Sequence, residues 1–284
     1  KTAYEIYQCD WSSDVCSSDL VFTTPGKAAQ GDFALRAVAD VLPFYTRYFG
    51  VPYALPKLDM LAVPATQTGA MENWGLVIYA EGLLLVDPAR TDAEAQQRNF
   101  AVIAHETAHQ WFGNLVTAAS WGEIWLNEAF ADWMETKAAE VVHPEWRVGL
   151  QRRAAIDEAL ARDAGAATRP IRGGEVDEEE VFSVFDDITY AKGGAVLTML
   201  EHAIGPERFR RGLAAYMKER RFSNATAADL WFHMARASGR DVGALAASWT
   251  DQPGFPLVSV ESRCVAGRTV LQRSEEHTSE LQSH

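Results

Sequence analysis

The chain has 284 residues, 48% of them hydrophobic and 23% charged, enough to bury one large globular core and inconsistent with disorder as its general state. Its longest apolar runs, such as Gly82–Val86 with its neighbours, fall far short of the roughly 18 residues that a membrane-spanning helix needs, and the first residues lack a positive stretch followed by an apolar one. A formal net charge of -13 repels a phosphate backbone, and no basic stripe with interleaved aromatics offsets it, so the composition argues against nucleic acid as a partner. A soluble chain is expected, and the sequence does not choose between a cytoplasmic, periplasmic or secreted compartment.

In chain order, the first feature is a segment that does not read as protein. Asp10–Leu20 (D-W-S-S-D-V-C-S-S-D-L) and the last twelve residues, Arg273–His284, resemble translated sequencing-library adapter. One nucleotide string read forward yields the C-terminal run, and its reverse complement yields Asp10–Leu20; Lys1–Ile6 resembles the remainder. Residues 1–20 and 273–284 are therefore set aside from the expected fold. They carry -3 and -2 of the charge, which leaves -8. Cys9 and Cys16 go with them, so Cys264 remains alone and neither an intrachain disulfide nor a Cys-based metal site is expected.

Residues 21–57 open with a short extended stretch and continue as a helix over Asp32–Phe49. Phe33, Ala37, Val38, Val41, Phe44, Tyr45 and Tyr48 recur there at helical spacing, and Gly50 stops it. Lys57–Val63 and Gly75–Val86 are β-rich, with T-G-A-M-E-N-W-G between them, which predicts a small sheet with an irregular edge. After Pro88 the pattern is helical. Thr91 with Glu94 forms a T-x-x-E capping pattern and Gly113 supplies a stop, predicting a helix over 92–112 with Phe100, Ile103, Ala104, Thr107, Ala108 and Trp111 as its core stripe. Ser120 with Glu123 repeats the capping pattern and opens a helix to about 142. Further helices are expected at 145–163, 178–185, 188–204, 206–220, 226–238 and 242–249, with Pro206 at a first helical position, Thr226 as N-cap and Gly239 as stop. Sheet first and helices after is the order of an α+β fold.

The helix over 92–112 carries H-E-T-A-H. His105 and His109, at i and i+4, share one helix face and can converge on a single ion, while Glu106, one step round, can reach a water on that ion. The second capped helix returns after the short loop 113–120 and carries W-L-N-E-A-F-A. Glu128 can therefore face His109 and complete two His and one Glu with a fourth position open, the arrangement of a catalytic rather than a structural zinc site. Asp132 and Glu135, one and two turns further on, could orient a ligand histidine or be surface charge. His143, His202 and His233 lack partners at ligand spacing and are read as structural.

H-E-x-x-H followed by eighteen residues and then Glu, in the forms H-E-T-A-H-Q-W-F-G-N and W-L-N-E-A-F-A, resembles the gluzincin aminopeptidases of the aminopeptidase N family. G-A-M-E-N (Gly69, Ala70, Met71, Glu72, Asn73) is similar to that family's exopeptidase motif, and T-Y-A-K-G-G (Thr189–Gly194) to the segment bearing its catalytic tyrosine. V-F-T-T-P-G-K and W-T-D-Q-P-G-F-P are similar to the two ends of its catalytic domain. The resemblance implies a thermolysin-like zinc aminopeptidase domain over 21–252, the start of a following β domain over 253–272, and one zinc ion per chain on His105, His109 and Glu128. It also implies Glu106 as the base that takes a proton from water and returns it to the leaving amine, and Tyr190 as the donor to the oxyanion. Glu72 would hold the ammonium of a peptide with a free N-terminus, with Gly69 letting backbone approach and Ala70 keeping the edge open for strand-like pairing. Thr107 stands where the family more usually has an aliphatic residue, a change of packing and not of ligation. Family members usually carry domains on both sides of this region, so the chain is expected to be a fragment. The competing readings are an endopeptidase of the thermolysin type, against which G-A-M-E-N argues, a noncatalytic scaffold or inactive fragment, and a bifunctional epoxide hydrolase and aminopeptidase.

Overall fold

The computed structural model describes residues 5–8, 19–66, 69–166, 168–174, 176, 177, 179 and 181–277. Its first layer is a five-stranded sheet of β1 (Glu5–Gln8), β2 (Leu20–Thr23), β3 (Asp59–Val63), β4 (Ala70–Met71) and β5 (Leu76–Ala80), in the spatial order β1-β2-β3-β5-β4. The central pairs β2/β3 and β3/β5 are parallel, and the two outer pairs are antiparallel. Alternation along the strands turns Val21, Met60, Ala62, Val77 and Tyr79 into one core with the helices. Beyond Thr23, α1 (Asp32–Phe49) buries Ala34, Leu35, Ala37, Val38, Val41, Leu42, Tyr45 and Phe49, whereas Phe33, Phe44 and Tyr48 lie only partly buried at the edge of that face. Gly50 ends α1 with φ 64, a left-handed cap that costs glycine nothing sterically.

The helical layer follows α2 (Glu81–Leu84) and comprises α3 (Ala93–Ala108), α4 (Trp125–Val142), α5 (Val148–Asp163), α6 (Gly193–Ile204), α7 (Pro206–Arg220), α8 (Ala227–Ser238) and α9 (Val242–Thr250). A short parallel ladder of β6 (Val116–Ala118) with β7 (Ser223–Ala225) joins the loop after α3 to the loop after α7. The hairpin β8 (Pro256–Val265) and β9 (Arg268–His277) follows α9. This mixed architecture is the expected α+β class. None of the helices among the described residues is long and apolar enough to cross a membrane.

The core stripe expected on α3 is buried at all six positions. Tyr45 donates to the Ala104 carbonyl at 3.0 Å and Trp111 Nε1 to that of Val51 at 2.9 Å, locking α1 against α3. Several boundaries differ from expectation. α3 is capped by Asp92, whose side chain accepts from Ala95 N at 2.8 Å, while Thr91 Oγ1 accepts from Asp87 N. It ends at Ala108 and not at 112, because Gln110 N and Trp111 N bond three residues back, to Thr107 and Ala108, and tighten the chain out of the α form. Ser120 makes no side-chain cap; a 3-10 turn over Trp121–Glu123 precedes α4, and Glu123 turns instead to Arg172 Nε, Trp125 Nε1 and Ala227 N. The β-rich reading of 81–86 gives way to α2, and the helix expected at 178–185 shrinks to a 3-10 turn over Val181–Val184, with residues 178 and 180 outside the described set. Ile188–Lys192 forms a π-helical turn before α6. Of the segments set aside on sequence grounds, Glu5–Gln8 pairs with Leu20–Thr23 and residues 273–277 lie in β9, while 10–18 and 278–284 lie outside the described residues.

Candidate metal and active centre

The early end of α3 at Ala108 makes His109 its C-cap and not a residue one turn inside. Leaving the helix there frees the Phe112 carbonyl to accept from His109 Nδ1 at 3.0 Å. One turn back, His105 Nδ1 meets Glu135 Oε2 at 2.9 Å. Both imidazoles therefore have Nδ1 occupied and turn Nε2 toward the start of α4, where Glu128 lies in the first turn. Glu128 Oε2 is 3.5 Å from each Nε2. A tetrahedral cation such as zinc, with bonds of about 2.0–2.2 Å, needs neighbouring ligand atoms about 3.3–3.6 Å apart. Both His–Glu128 separations meet that requirement, the three ligand atoms all lie within 4.8 Å of one another, and α4 runs antiparallel to α3 as the pairing of His109 with Glu128 and His105 with Glu135 demands.

Of the two acids left open by the sequence, Glu135 holds the candidate ligand His105 and Asp132 does not. Asp132 pairs with Arg152 of α5, whose guanidinium also donates to the Asp132 carbonyl and to Thr136 Oγ1. That pair lies against Gly194, where any Cβ would collide with it.

Glu106 projects beside the three candidate ligands, buried, with Oε2 lacking a hydrogen-bond partner among the described residues. One atom each from Glu72, Glu106 and His109 lies within 4.8 Å of the others, so the G-A-M-E-N acid reaches the same cluster. Two residues to which the sequence assigned no role hold it there. Gln110 Nε2 and Asn114 Nδ2 donate to the Glu72 carbonyl at 3.3 and 2.8 Å. The one available signal was a polar residue, Gln110, one turn after Glu106 on the buried side of the helix. Ala70 and Met71 form the outermost strand of the sheet, paired on one side to Tyr79 and Ile78. Gly69 passes its carbonyl to Ala80 N, and a side chain there would press on Leu83. Asn73 lies exposed, its carbonyl accepting from Leu76 N.

Tyr190 sits in the middle of the π turn with its ring 6.0 Å from that of His105 and inclined by 29°. Its turn is pressed onto α4 at Gly193, where a Cβ would lie 2.6 Å from that of Ala129, the residue after Glu128. Thr107 satisfies its hydroxyl on the Ile103 carbonyl at 2.7 Å and touches no ligand role. His143 stacks on Trp146, His202 bonds Thr198 O and His233 is buried in the α7/α8 interface; the candidate metal groups among the described residues include none of them.

Electrostatics follow from this packing of like and unlike charges out of water. Burial lifts the Glu106 carboxyl to about 7 against the pull of His105 and His109, with Glu72 and Glu128 adding to the rise. Burial draws His109 down, but Glu128's charge and hydrogen bond outweigh it and raise the imidazole to about 9. His105 likewise rises well above its ordinary value because Glu128 and Glu135 overcome its burial. Glu128 is burdened by burial and yet held well below the usual carboxylate range by the two histidines. The Tyr190 phenol is pushed far up by burial, then by Glu128.

A model of the peptidase family M1 domain matches residues 33–249. Aminopeptidase M1-A of Oryza sativa subsp. japonica is 45% identical over 241 residues, 85% of this chain and 27% of that protein. Aminopeptidase M1 of Arabidopsis thaliana is 43% identical over 254 residues, 89% and 29% of the two chains. A leucyl aminopeptidase of Saccharolobus solfataricus is 40% identical over 260 residues, 90% and 32%. The chain thus spans about three-tenths of the length of these relatives.

Proposed function

The chain belongs to peptidase family M1, and from that premise we propose that it is the catalytic domain of a zinc aminopeptidase that removes the first residue from peptides with a free N-terminus. The observation that carries this reading is the convergence of one ligand atom each from His105, His109 and Glu128 within 4.8 Å, with Glu128 Oε2 3.5 Å from both Nε2 atoms, beside Glu106, whose Oε2 has no hydrogen-bond partner among the described residues. These three residues would hold zinc, which when bound supplies an acidified water and a Lewis acid for the scissile carbonyl. Glu106 accepts a proton from the attacking water and returns it to the leaving amine, a double duty suited to a carboxyl that burial raises above its ordinary value in the metal-free site. Tyr190 stays protonated at any physiological pH and donates to the developing oxyanion. Glu72, anchored through its carbonyl by Gln110 and Asn114, takes the substrate ammonium. The outer edge of β4 offers backbone groups to an extended peptide.

The test is metal analysis paired with turnover. About one zinc per chain is expected, lost in His105→Ala, together with cleavage of L-alanine 4-nitroanilide but not of its N-acetyl derivative. Glu106→Gln should keep the zinc and lose about 10²–10⁴-fold in kcat. A folded wild-type chain without zinc, or equal cleavage of free and acetylated substrates, would overturn the reading.

A further inference from the structure

The π turn that carries Tyr190 is tied at both ends by charges outside the site, partly buried at its front and buried at its back. At its front, Asp186 Oδ1 accepts from Ile188 N and Thr189 N at 3.1 and 3.2 Å and is held by Arg169, which also donates to Thr189 Oγ1 at 2.8 Å and to the Val184 carbonyl at 3.0 Å. At its back stands Lys192, two residues after Tyr190 and only 5% exposed. Lys192 Nζ lies 2.8 Å from Asp163 Oδ2 and donates to the Gly254 carbonyl at 2.9 Å. Asp163, wholly buried at the end of α5, accepts on Oδ1 from Gly254 N at 2.9 Å and from Thr168 Oγ1 at 2.5 Å. One ion pair therefore closes a ring through three segments: the end of α5, the Tyr190 turn and the D-Q-P-G-F-P loop after α9.

Such a pair is a poor way to stabilise a fold. Taking an ammonium and a carboxylate out of water costs about what their attraction returns, and an apolar pair of similar volume usually does as well. What a buried pair does supply is a defined position, since neither charge tolerates leaving the other. The segment it positions needs that help: a π turn is uncommon, and the bonds that define this one, Lys192 N to Asp187 O and Gly193 N to Ile188 O, begin at Lys192 and its neighbour. On the opposite side Gly193 rests on Ala129, so the turn is clamped between the candidate metal helix and the Lys192 ring.

We propose that Lys192, with Asp163 and the Gly254 backbone, is a positioning group for Tyr190: it sets the height of the phenol over the candidate metal centre and so acts on transition-state binding without touching substrate. This rests on the assignment of Tyr190 as oxyanion donor.

The test is a double-mutant cycle in the full chain with L-alanine 4-nitroanilide. Lys192→Met is expected to lower kcat by about 10–100-fold, as a misplacement near 1 Å does, with KM and zinc content unchanged. On a Tyr190→Phe background the same substitution should cost less than about threefold, because the group it positions is gone. The isosteric Asp163→Asn should follow the same pattern. A second readout needs no turnover: with 3-fluorotyrosine incorporated, the Tyr190 fluorine resonance, assigned by its absence in Tyr190→Phe, should shift in Lys192→Met. An equal loss on both backgrounds, an unmoved resonance, or failure of both variants to fold would make the ring a stability element only and overturn the proposal. Full kcat in Tyr190→Phe would instead remove the catalytic assignment of Tyr190, a different failure read from a different variant.

Discussion

Gly193→Ala probes how closely the tyrosine turn must approach the ligand helix. A Cβ at 193 would lie 2.6 Å from Ala129 Cβ, while its next neighbours, Ile188 O and Ala129 Cα, stand at ordinary contact distances of 3.7 and 3.8 Å. Only one pair of methyl groups is in conflict, and the two elements must separate by about 0.8 Å to restore a normal contact in a core packed at crystal density. Overpacking of that kind costs about 1–3 kcal/mol, which for a domain of this size lowers Tm by about 2–4 °C per kcal/mol. The larger effect should be on rate. Tyr190 lies three residues from the clash, and moving an oxyanion donor by nearly 1 Å is expected to reduce kcat by up to about 10²-fold. Zinc content should hold, since the candidate ligands sit on α3 and α4 and not on the displaced turn. The decisive comparison is Ala129→Gly/Gly193→Ala, which moves the methyl across the interface and removes the clash at the expense of about 1 kcal/mol for a glycine inside α4. Steady-state kinetics and thermal unfolding of the three proteins should show kcat lost in the single variant and recovered in the double, with Tm recovering only in part. Wild-type kcat in folded Gly193→Ala, or no recovery in the double variant, would refute the claim that this contact sets the height of the turn.

Two further expectations concern the ligand cluster. Glu135→Gln keeps the shape beside His105 but removes the charged acceptor from Nδ1, and zinc affinity measured by chelator competition should fall about 10–100-fold; an unchanged affinity would mean that Glu135 does not tune the ligand. In the metal-free protein the histidines govern stability against pH. Their folded pKa values are raised, His109 to about 9, so the stability they contribute is fully present below the unfolded value of about 6.5 and is lost as pH rises through about 9. Glu128 is depressed, so its contribution is present above about 4.5 and lost as pH falls further. Chelator-treated protein should therefore show a falling Tm between pH 6.5 and 9, and a rise over that window would refute the reading.

Much of the centre was legible because its logic is local. Two imidazoles at i and i+4 must share a helix face whatever surrounds them, and the apolar stripe of α3 is a property of helical period alone. Glu128 was reachable one step further out, since a short loop between two helices forces them side by side. Legibility stopped where local signals met tertiary demand. Thr91 and Ser120 look like caps, yet Asp92 takes the first role and Glu123 is drawn off to Arg172, Trp125 and Ala227. Gly113 looks like the helix stop, yet the chain leaves the helix at His109.

From the residues alone came the α+β order, the two candidate His ligands, the proposed base beside them and the carboxylate opposite, because spacing along a helix converts directly into geometry. Only the tertiary structure decided that Glu135 and not Asp132 holds His105, that Gln110 and Asn114 pin the Glu72 segment, and that Gly193 and Lys192 seat the turn of Tyr190. The reason is physical: each of these depends on which of several equally plausible polar groups loses its water, and burial is settled by elements distant in the chain, as Asp132 shows by turning to Arg152 on α5 and so leaving Glu135 to His105.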